Sequence, residues 1–518
     1  VRRPEQVIVV IAGYHVDETI LKRSRLVDKQ GVSGVVQVIE CERHLLMVAC
    51  NFYLPTVTNL CIIIDVYLSD RRHIVISSIF KAYDIRGKVG SELSDDLCNH
   101  IGRAFADWLP EQGVVAVGHD MRPDSASLAQ QFIQGLRQQG REVWDIGQVT
   151  SDMIYFAIGK FNLAGGGVIT ASHNPGEYNG IKLYRDKVTP VGLDSGLSNI
   201  RDAVLAGNFK EETAAPGAVT PRDITEDWVA HCMQFVTGLK PFHIAIDAGN
   251  GMAGAILPHI LPKLPLTVEQ MYFEPDGTFP NHEANPQKPE NLRDLMQKVT
   301  AGGLDFGIAF DGDGDRAGFV DDLGRMVLGS DLMSIVAHYY LQKFPGAKIV
   351  HEVRTSHATL ELIKEWGGEP VRTKAGRVYI GAKLREIGAP FGGETTGHFF
   401  FTENFDADSG LITALVAMQA ISDSGKKLSE LVDEYHKYAM GPEINFEVED
   451  TQSALIALRE AFADGKQDEL DGLTVEYPTK WFNIRASNTE PVIRLNAEAH
   501  TQQELDGMVA KIKETIGE

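Results

Sequence analysis

The 518-residue sequence is poor in cysteine. It has five, at Cys41, Cys50, Cys61, Cys98 and Cys232, with no CxxC pair and no His/Cys set at zinc spacing. That excludes a disulfide scaffold and a thiolate metal site, and it fits a reducing, cytoplasmic setting. Long apolar runs are also missing. No stretch reaches the roughly 18–20 residues that a membrane-spanning helix requires; the run Leu60–Leu68 is short and carries Asp65. A secretory signal needs a basic start, an apolar core and a small-residue cleavage site. Arg2, Arg3 and Val7–Gly13 offer weak versions of the first two only. Positive charge is scarce: 49 Lys and Arg stand against 71 Asp and Glu, a net −22. This balance argues against a nucleic-acid partner. An anionic ligand would have to be held by local basic groups and backbone N–H groups, against the global field.

What is present is an ordinary globular composition, 43% hydrophobic and 23% charged, with 50 glycines. The length predicts three or four domains. From Ile79 onward, helical periodicity alternates with short apolar runs. Helices are expected over Leu93–Leu109, with Ser91 or Ser94 as N-cap, and over Ala126–Gln139, Ala253–Leu261, Asp331–Phe344 and Ala358–Trp366. Strands are expected at Val114–Val117, Val168–Ala171, His243–Asp247, Phe306–Phe310 and Ile349–Val353, and a linker at Ala214–Pro221. After Met440–Pro442 the pattern turns strand-rich and closes with a helix over Gln502–Ile516. The expected fold is α/β: three consecutive α/β domains with mainly parallel mixed sheets (75–218, 219–325 and 326–438), then a C-terminal α+β domain (439–518). Residues 1–74 hold three of the five cysteines and no site motif. Val7–Ile11 and Leu60–Leu68 read as buried strands there. The segment is either a real extension or an upstream reading-frame extension of a product beginning at Val75, and a chain starting at Val75 would keep every motif described below.

Two motifs carry the chemistry. In Thr170-Ala171-Ser172-His173-Asn174-Pro175 the proline disfavours helix at Asn174 and pins the segment as a turn. Ser172 is therefore displayed, as a candidate nucleophile or phosphoryl carrier. His173 is expected to point away from it, because neighbours on an extended segment do. In Asp311-Gly312-Asp313-Gly314-Asp315-Arg316 three carboxylates fall within five residues and repel one another unless a cation lies among them. The glycines let them converge, and oxygen-only ligation suits Mg²⁺. A calcium-binding EF-hand needs Gly at loop position six and Glu at twelve, where this chain has Arg316 and Asp322. Two weaker motifs follow. Gly393-Glu394-Thr395-Thr396-Gly397-His398 suits sugar hydroxyls or a capping turn. Arg485-Ala486-Ser487-Asn488-Thr489-Glu490-Pro491, with Arg494, is a compact set of phosphate donors or a polar turn between strands. Lys182, ten residues after Ser172, is an acid/base candidate, a charge partner or a surface lysine.

In this order and at these separations the four motifs resemble the α-D-phosphohexomutase superfamily, most nearly its bacterial phosphomannomutase/phosphoglucomutase branch. The resemblance covers residues 79–518 and includes Ile79–Gly87, Val117–Arg122 and Pro275–His282. It implies four domains around a central cleft, each supplying one loop. Ser172 would be the phosphoserine, and Asp311, Asp313 and Asp315 would bind Mg²⁺ together with a phosphoserine oxygen. Glu394, Thr396 and His398 would meet the sugar. Arg485, Ser487, Asn488 and Thr489 would hold the non-reacting phosphate. Tyr83, Arg316, Arg354 and Arg377 would complete the binding site, with Arg86 and Lys182 as acid/base candidates. The implied reaction interconverts hexose 1-phosphate and 6-phosphate, mannose or glucose, through a hexose 1,6-bisphosphate that also serves as activator. The implied partner is a small phosphosugar, and the implied state a monomer, with a dimer the alternative. Phosphoglucosamine mutase, a Mg²⁺ phosphatase and a non-catalytic phosphosugar-binding protein are the rival readings. Thr395 and Thr396 stand where this branch usually has methionine and serine, and Arg354 and Arg377 where it often has lysine and histidine. Those departures bear on sugar preference.

Overall fold

The computed structural model describes residues 74–448, 450–486 and 492–517. Before them it describes four strands: β1 (Val7–Ala12), β2 (Arg23–Val27), β3 (Ser33–Cys41) and β4 (Leu45–Asn51). The chain divides into two compact units, Val1–Ile74 and Val75–Glu518. In the first, the four strands form an antiparallel sheet in the order β1-β4-β3-β2. The strand expected at Val7–Ile11 is β1; Leu60–Leu68 lies outside the described residues.

The second unit repeats one topology three times. Its first sheet holds β5 (Ile85–Lys88), β6 (Val115–His119), β7 (Val143–Gln148), β8 (Gly165–Ile169), β9 (Tyr178–Arg185), β10 (Thr189–Pro190) and β11 (Val219–Pro221). Their order is β10-β9-β8-β6-β7-β11, with β5 on β9. β6, β7, β8 and β11 are parallel; β9 and β10 turn back antiparallel. The second sheet holds β12 (Phe242–Asp247), β13 (Leu266–Met271), β14 (Phe306–Phe310), β15 (Ala317–Asp321) and β16 (Met326–Val327), in the order β13-β12-β14-β15-β16. The third holds β17 (Lys348–Glu352), β18 (Glu369–Thr373), β19 (Phe391–Gly393), β20 (Phe399–Phe401) and β21 (Ala407–Asp408), in the order β18-β17-β19-β20-β21. Each has parallel strands followed by an antiparallel hairpin. The connection from the last parallel strand to the first antiparallel one is the serine loop in the first sheet, the aspartate loop in the second and the Glu394 loop in the third. All three leave the carboxyl end of a parallel strand, where ligands collect in α/β sheets.

The fourth sheet is antiparallel and includes β22 (Ala439–Met440), β23 (Ile444–Glu447), β24 (Lys466–Asp468), β25 (Leu473–Glu476), β26 (Lys480–Ala486) and β27 (Val492–Ala499). Helices Thr451–Ala461 and Gln502–Ile516 accompany it. The fold is thus α/β with four domains, as expected. One expectation changes. The stretch Ala214–Pro221 is not a free linker to its end, because Val219–Pro221 pairs with Val143–Asp145 as an edge strand. The first sheet therefore extends past residue 218, the boundary expected from composition.

Local sequence explains the helices. Ser94 caps Asp95–Trp108, its hydroxyl accepting from the Leu97 N–H, and Asp95 and Asp96 occupy the first turn. Leu97, Ile101 and Phe105 share the buried face, worth about 1.5–3 kcal/mol each. One large core binds the first three sheets together; Tyr155, Trp228, Phe306, Phe391 and Phe401 all belong to it.

Candidate active site

The loops after β8 and β14 meet. Ser172 adopts the left-handed conformation, φ 51°, which few non-glycine residues do. Its N–H donates to Thr170 Oγ1 at 2.9 Å, and its hydroxyl donates to Asp311 Oδ2 at 2.9 Å. Gly312 makes this approach possible: a Cβ there would collide with the Ser172 carbonyl. The left-handed turn also overturns the expectation for His173. The segment is not extended at Ser172, so the neighbouring ring folds back and His173 Nδ1 lies 3.2 Å from Ser172 Oγ. That nitrogen accepts from Arg316 Nη2 at 2.6 Å. Burial, with Arg316 and Arg86 nearby, holds the imidazole well below its ordinary pKa, hence neutral.

Arg122 fixes the serine loop from behind. It is 3% exposed, and its guanidinium donates to the carbonyls of Ser172, Asn174, Pro175 and Tyr178 at 2.6–2.8 Å. Asp120 holds its Nε at 3.2 Å. Arg122 had no role in the sequence reading, although it stands in the stretch Val117–Arg122; carbonyls satisfied across fifty residues leave no sequence signal. Lysine cannot reproduce a planar five-donor fork. Arg122→Lys should therefore cost about 2–3 kcal/mol of stability and lower kcat; denaturant titration alongside kinetics checks this.

Asp311, Asp313 and Asp315 are fully buried, and their ligand atoms lie within 4.8 Å of one another. Lys182, on β9, inserts its ammonium between Asp313 Oδ2 at 2.5 Å and Asp315 Oδ2 at 2.6 Å. Burial alone would lower its pKa; the two carboxylates outweigh that and raise it, so the ammonium stays charged. Asp313 shows the reverse balance, with burial raising its pKa and Lys182 pulling it below the usual range. Asp311 is pushed up to about 7 by burial, against the pull of Arg316, whose Nε donates to it at 2.9 Å. Asp313 also accepts from the Ser151 hydroxyl. Asp313 Oδ1 and Asp315 Oδ1 are buried without a hydrogen-bond partner. Buried unpaired carboxylate oxygens in a converging set fit a hard divalent cation such as Mg²⁺.

The remaining predicted residues divide by loop. Arg86 is tied to the serine loop, donating to Asn174 Oδ1 at 2.6 Å and held by Asp84 at 2.9–3.0 Å. His398 donates to Asp408 Oδ2 at 2.6 Å and lies 3.7 Å from Asp315; burial works against protonation, but the two carboxylates raise its pKa. Arg377 reaches the same loop, 3.5 Å from Asp315 and stacked over Tyr184. Glu394 accepts from the Gly376 N–H at 2.6 Å and the Thr396 hydroxyl at 2.7 Å. Tyr83 packs edge-on against Tyr379, beside Gly376. Arg354 is held at 2.9 Å by Glu352, which also accepts from Thr395 Oγ1 at 2.7 Å. Glu352 and Asp408 are further residues that sequence reasoning missed, since each acts by orienting a neighbouring site residue, Arg354 or His398, and stands in no motif of its own. Arg485 ends β26 near Asp471 and Glu443. Ser487, Asn488 and Thr489 lie outside the described residues.

A thrice-repeated α/β sheet that brings a buried serine against three aspartates of the next domain defines a multidomain α/β enzyme. Family models for phosphoglucomutase/phosphomannomutase match all four parts: α/β/α domain I over residues 77–211, domain II over 226–324, domain III over 328–438 and the C-terminal domain over 443–515. Phosphohexose mutases of Xanthomonas campestris pv. campestris are 41% identical over 428 residues, covering 81% of this chain and 94% of the relative. A phosphomannomutase/phosphoglucomutase of Pseudomonas aeruginosa is 37% identical, covering 83% and 93%. The crystal structure of a phosphoglucomutase/phosphomannomutase family protein from Burkholderia thailandensis superposes with a TM-score of 0.78 at 32% identity, covering 85% of this chain and 97% of that one. The chain belongs to the phosphoglucomutase/phosphomannomutase family; it is a phosphohexomutase, and so an isomerase. Among the described residues no helix is long and apolar enough to cross a membrane.

Proposed function

We propose that this enzyme interconverts the 1-phosphate and 6-phosphate of mannose, glucose or both, using phosphorylated Ser172 and a hexose 1,6-bisphosphate intermediate. The observation that carries the reading is Ser172 Oγ, 2.9 Å from Asp311, one of a three-carboxylate cluster from another domain. One loop is assigned to each domain: serine in 75–218, metal in 219–325, sugar in 326–438 and phosphate in 439–518.

Asp311, Asp313 and Asp315 are the residues that would hold Mg²⁺, which when bound supplies charge neutralisation for the transferring phosphoryl group. The chain's own groups do the rest. Arg122 and the left-handed turn aim Ser172 at the sugar. In the transfer, the P–Oγ bond breaks as the bond to the sugar oxygen forms. Oγ gains a proton and the sugar hydroxyl loses one. Lys182, held charged beside the serine loop, gives the first and takes the second, with Arg86 the other acid/base candidate. Glu394, Thr396 and His398 orient the sugar, and Arg354, Arg485 and the loop 487–489 hold the resting phosphate, with Tyr83, Arg316 and Arg377 lining the site. A cytoplasmic monomer acting on a small phosphosugar is the simplest setting. Cys98 and Cys232 are free thiols, which suits it.

The test is a coupled assay of mannose, glucose and glucosamine 1-phosphates with catalytic hexose 1,6-bisphosphate. Mannose or glucose 1-phosphate should give the highest kcat/KM. A preference for glucosamine 1-phosphate would replace this reading with the aminosugar mutase, and net release of inorganic phosphate would make the enzyme a phosphatase.

A further inference from the structure

Glu443 stands in an unusual place. Its carboxylate lies 3.8 Å from Arg485, 3.9 Å from Arg354 and 3.9 Å from Arg494. Arg485 and Arg494 face each other across β26 and β27. Arg354 comes from the turn that follows β17, in the preceding domain. Among the described residues only Asn496 makes a hydrogen bond to the carboxylate, at 3.1 Å. Three guanidiniums therefore surround one anion at ion-pair range but beyond hydrogen-bond length. They attract it without locking it. The Nε atoms of Arg485 and Arg494 are buried and have no partner among the described residues. Buried donors left unpaired in a cationic cluster point to an anionic ligand that completes them.

We propose that Glu443 is the internal counter-ion of the substrate-phosphate subsite, holding the three arginines together and yielding them to the incoming dianion. This rests on reading the Arg485 loop as phosphate-binding. A phosphate brings more charge and more acceptor oxygens than a carboxylate, and can close the hydrogen bonds that Glu443 leaves open. The counter-charge also serves turnover. A bisphosphate that must present first one phosphate and then the other has to let go of this subsite between the two transfers. Arg354 keeps Glu352 at 2.9 Å and Arg485 keeps Asp471 at 3.7 Å, but without Glu443 the cluster would carry excess positive charge and hold the phosphate too long; a resident carboxylate ready to re-form the array favours release. Glu443 is thus a positioning residue that sets how firmly the resting phosphate is gripped.

The experiment is calorimetric titration of the full chain with inorganic phosphate and, separately, with glucose 1,6-bisphosphate at low ionic strength. Glu443→Gln keeps the shape and the Asn496 contact but removes the charge. It should bind both ligands more tightly, by roughly five- to tenfold given screening of a partly exposed charge. KM for the 1-phosphate and kcat should both fall, as expected when release slows. Glu443→Asp, which keeps the charge, should stay within about twofold of wild type in affinity. Equal or weaker binding by a folded Glu443→Gln would overturn the proposal while leaving the phosphate reading intact. A wild-type protein that binds neither ligand would remove both.

Discussion

Ser172→Ala should lose roughly 10⁴-fold in kcat, as expected when the group that carries the covalent intermediate is removed. The fold should survive, because the hydroxyl's described contacts are to Asp311 and the His173 ring, while the loop is held by Arg122 through backbone carbonyls. Intact-mass measurement should find one phosphoryl group on wild-type protein incubated with the bisphosphate and none on the variant. Near-wild-type turnover by Ser172→Ala would dismiss Ser172 as the carrier, whatever the family.

Asp313→Asn should show the second large effect. It removes one of three converging carboxylates and one of the two carboxylate partners of the buried Lys182 ammonium. Mg²⁺ affinity should fall at least roughly tenfold, and kcat at saturating Mg²⁺ by roughly 10²-fold, the scale of losing one electrostatic stabiliser of a transferring group. Metal binding is read directly by calorimetry, apart from turnover. Excess chelator should stop the wild-type enzyme and added Mg²⁺ restore it; full activity in chelator would contradict the cation site. Lys182 gives a second readout. With half its counter-charge gone, the buried ammonium should be easier to deprotonate. A pH profile of the variant that matched wild type on its alkaline side would argue that Lys182 takes no part in proton transfer.

The chemistry of this protein lies in short segments that carry their own signals. Asn174-Pro175 forbids helix beside Ser172. Asp311, Asp313 and Asp315 are too close together to be stable without a cation. Short apolar runs lead into the serine and aspartate loops, so the α/β alternation and the positions of these two loops could be read from the chain directly; the strand before the Glu394 loop, Phe391–Gly393, carries no such signal. These features are local: they depend on neighbours within a few residues, where sterics and charge repulsion act regardless of the rest of the fold. What only the tertiary structure decided is one turn conformation and a set of contacts between residues far apart in sequence. It set Ser172 in a left-handed turn and so brought His173 back onto it, against the expectation for an extended chain. It gave Arg122 four carbonyls to hold, buried the ammonium of Lys182 between two aspartates of the next domain, and put Glu443 among arginines from two domains. It also showed that the serine, aspartate and Glu394 loops are the same connection in three copies of one sheet. Apart from the Ser172–His173 contact, these join groups tens to more than a hundred residues apart, and their energies depend on burial and on distances that only the packed sheets set.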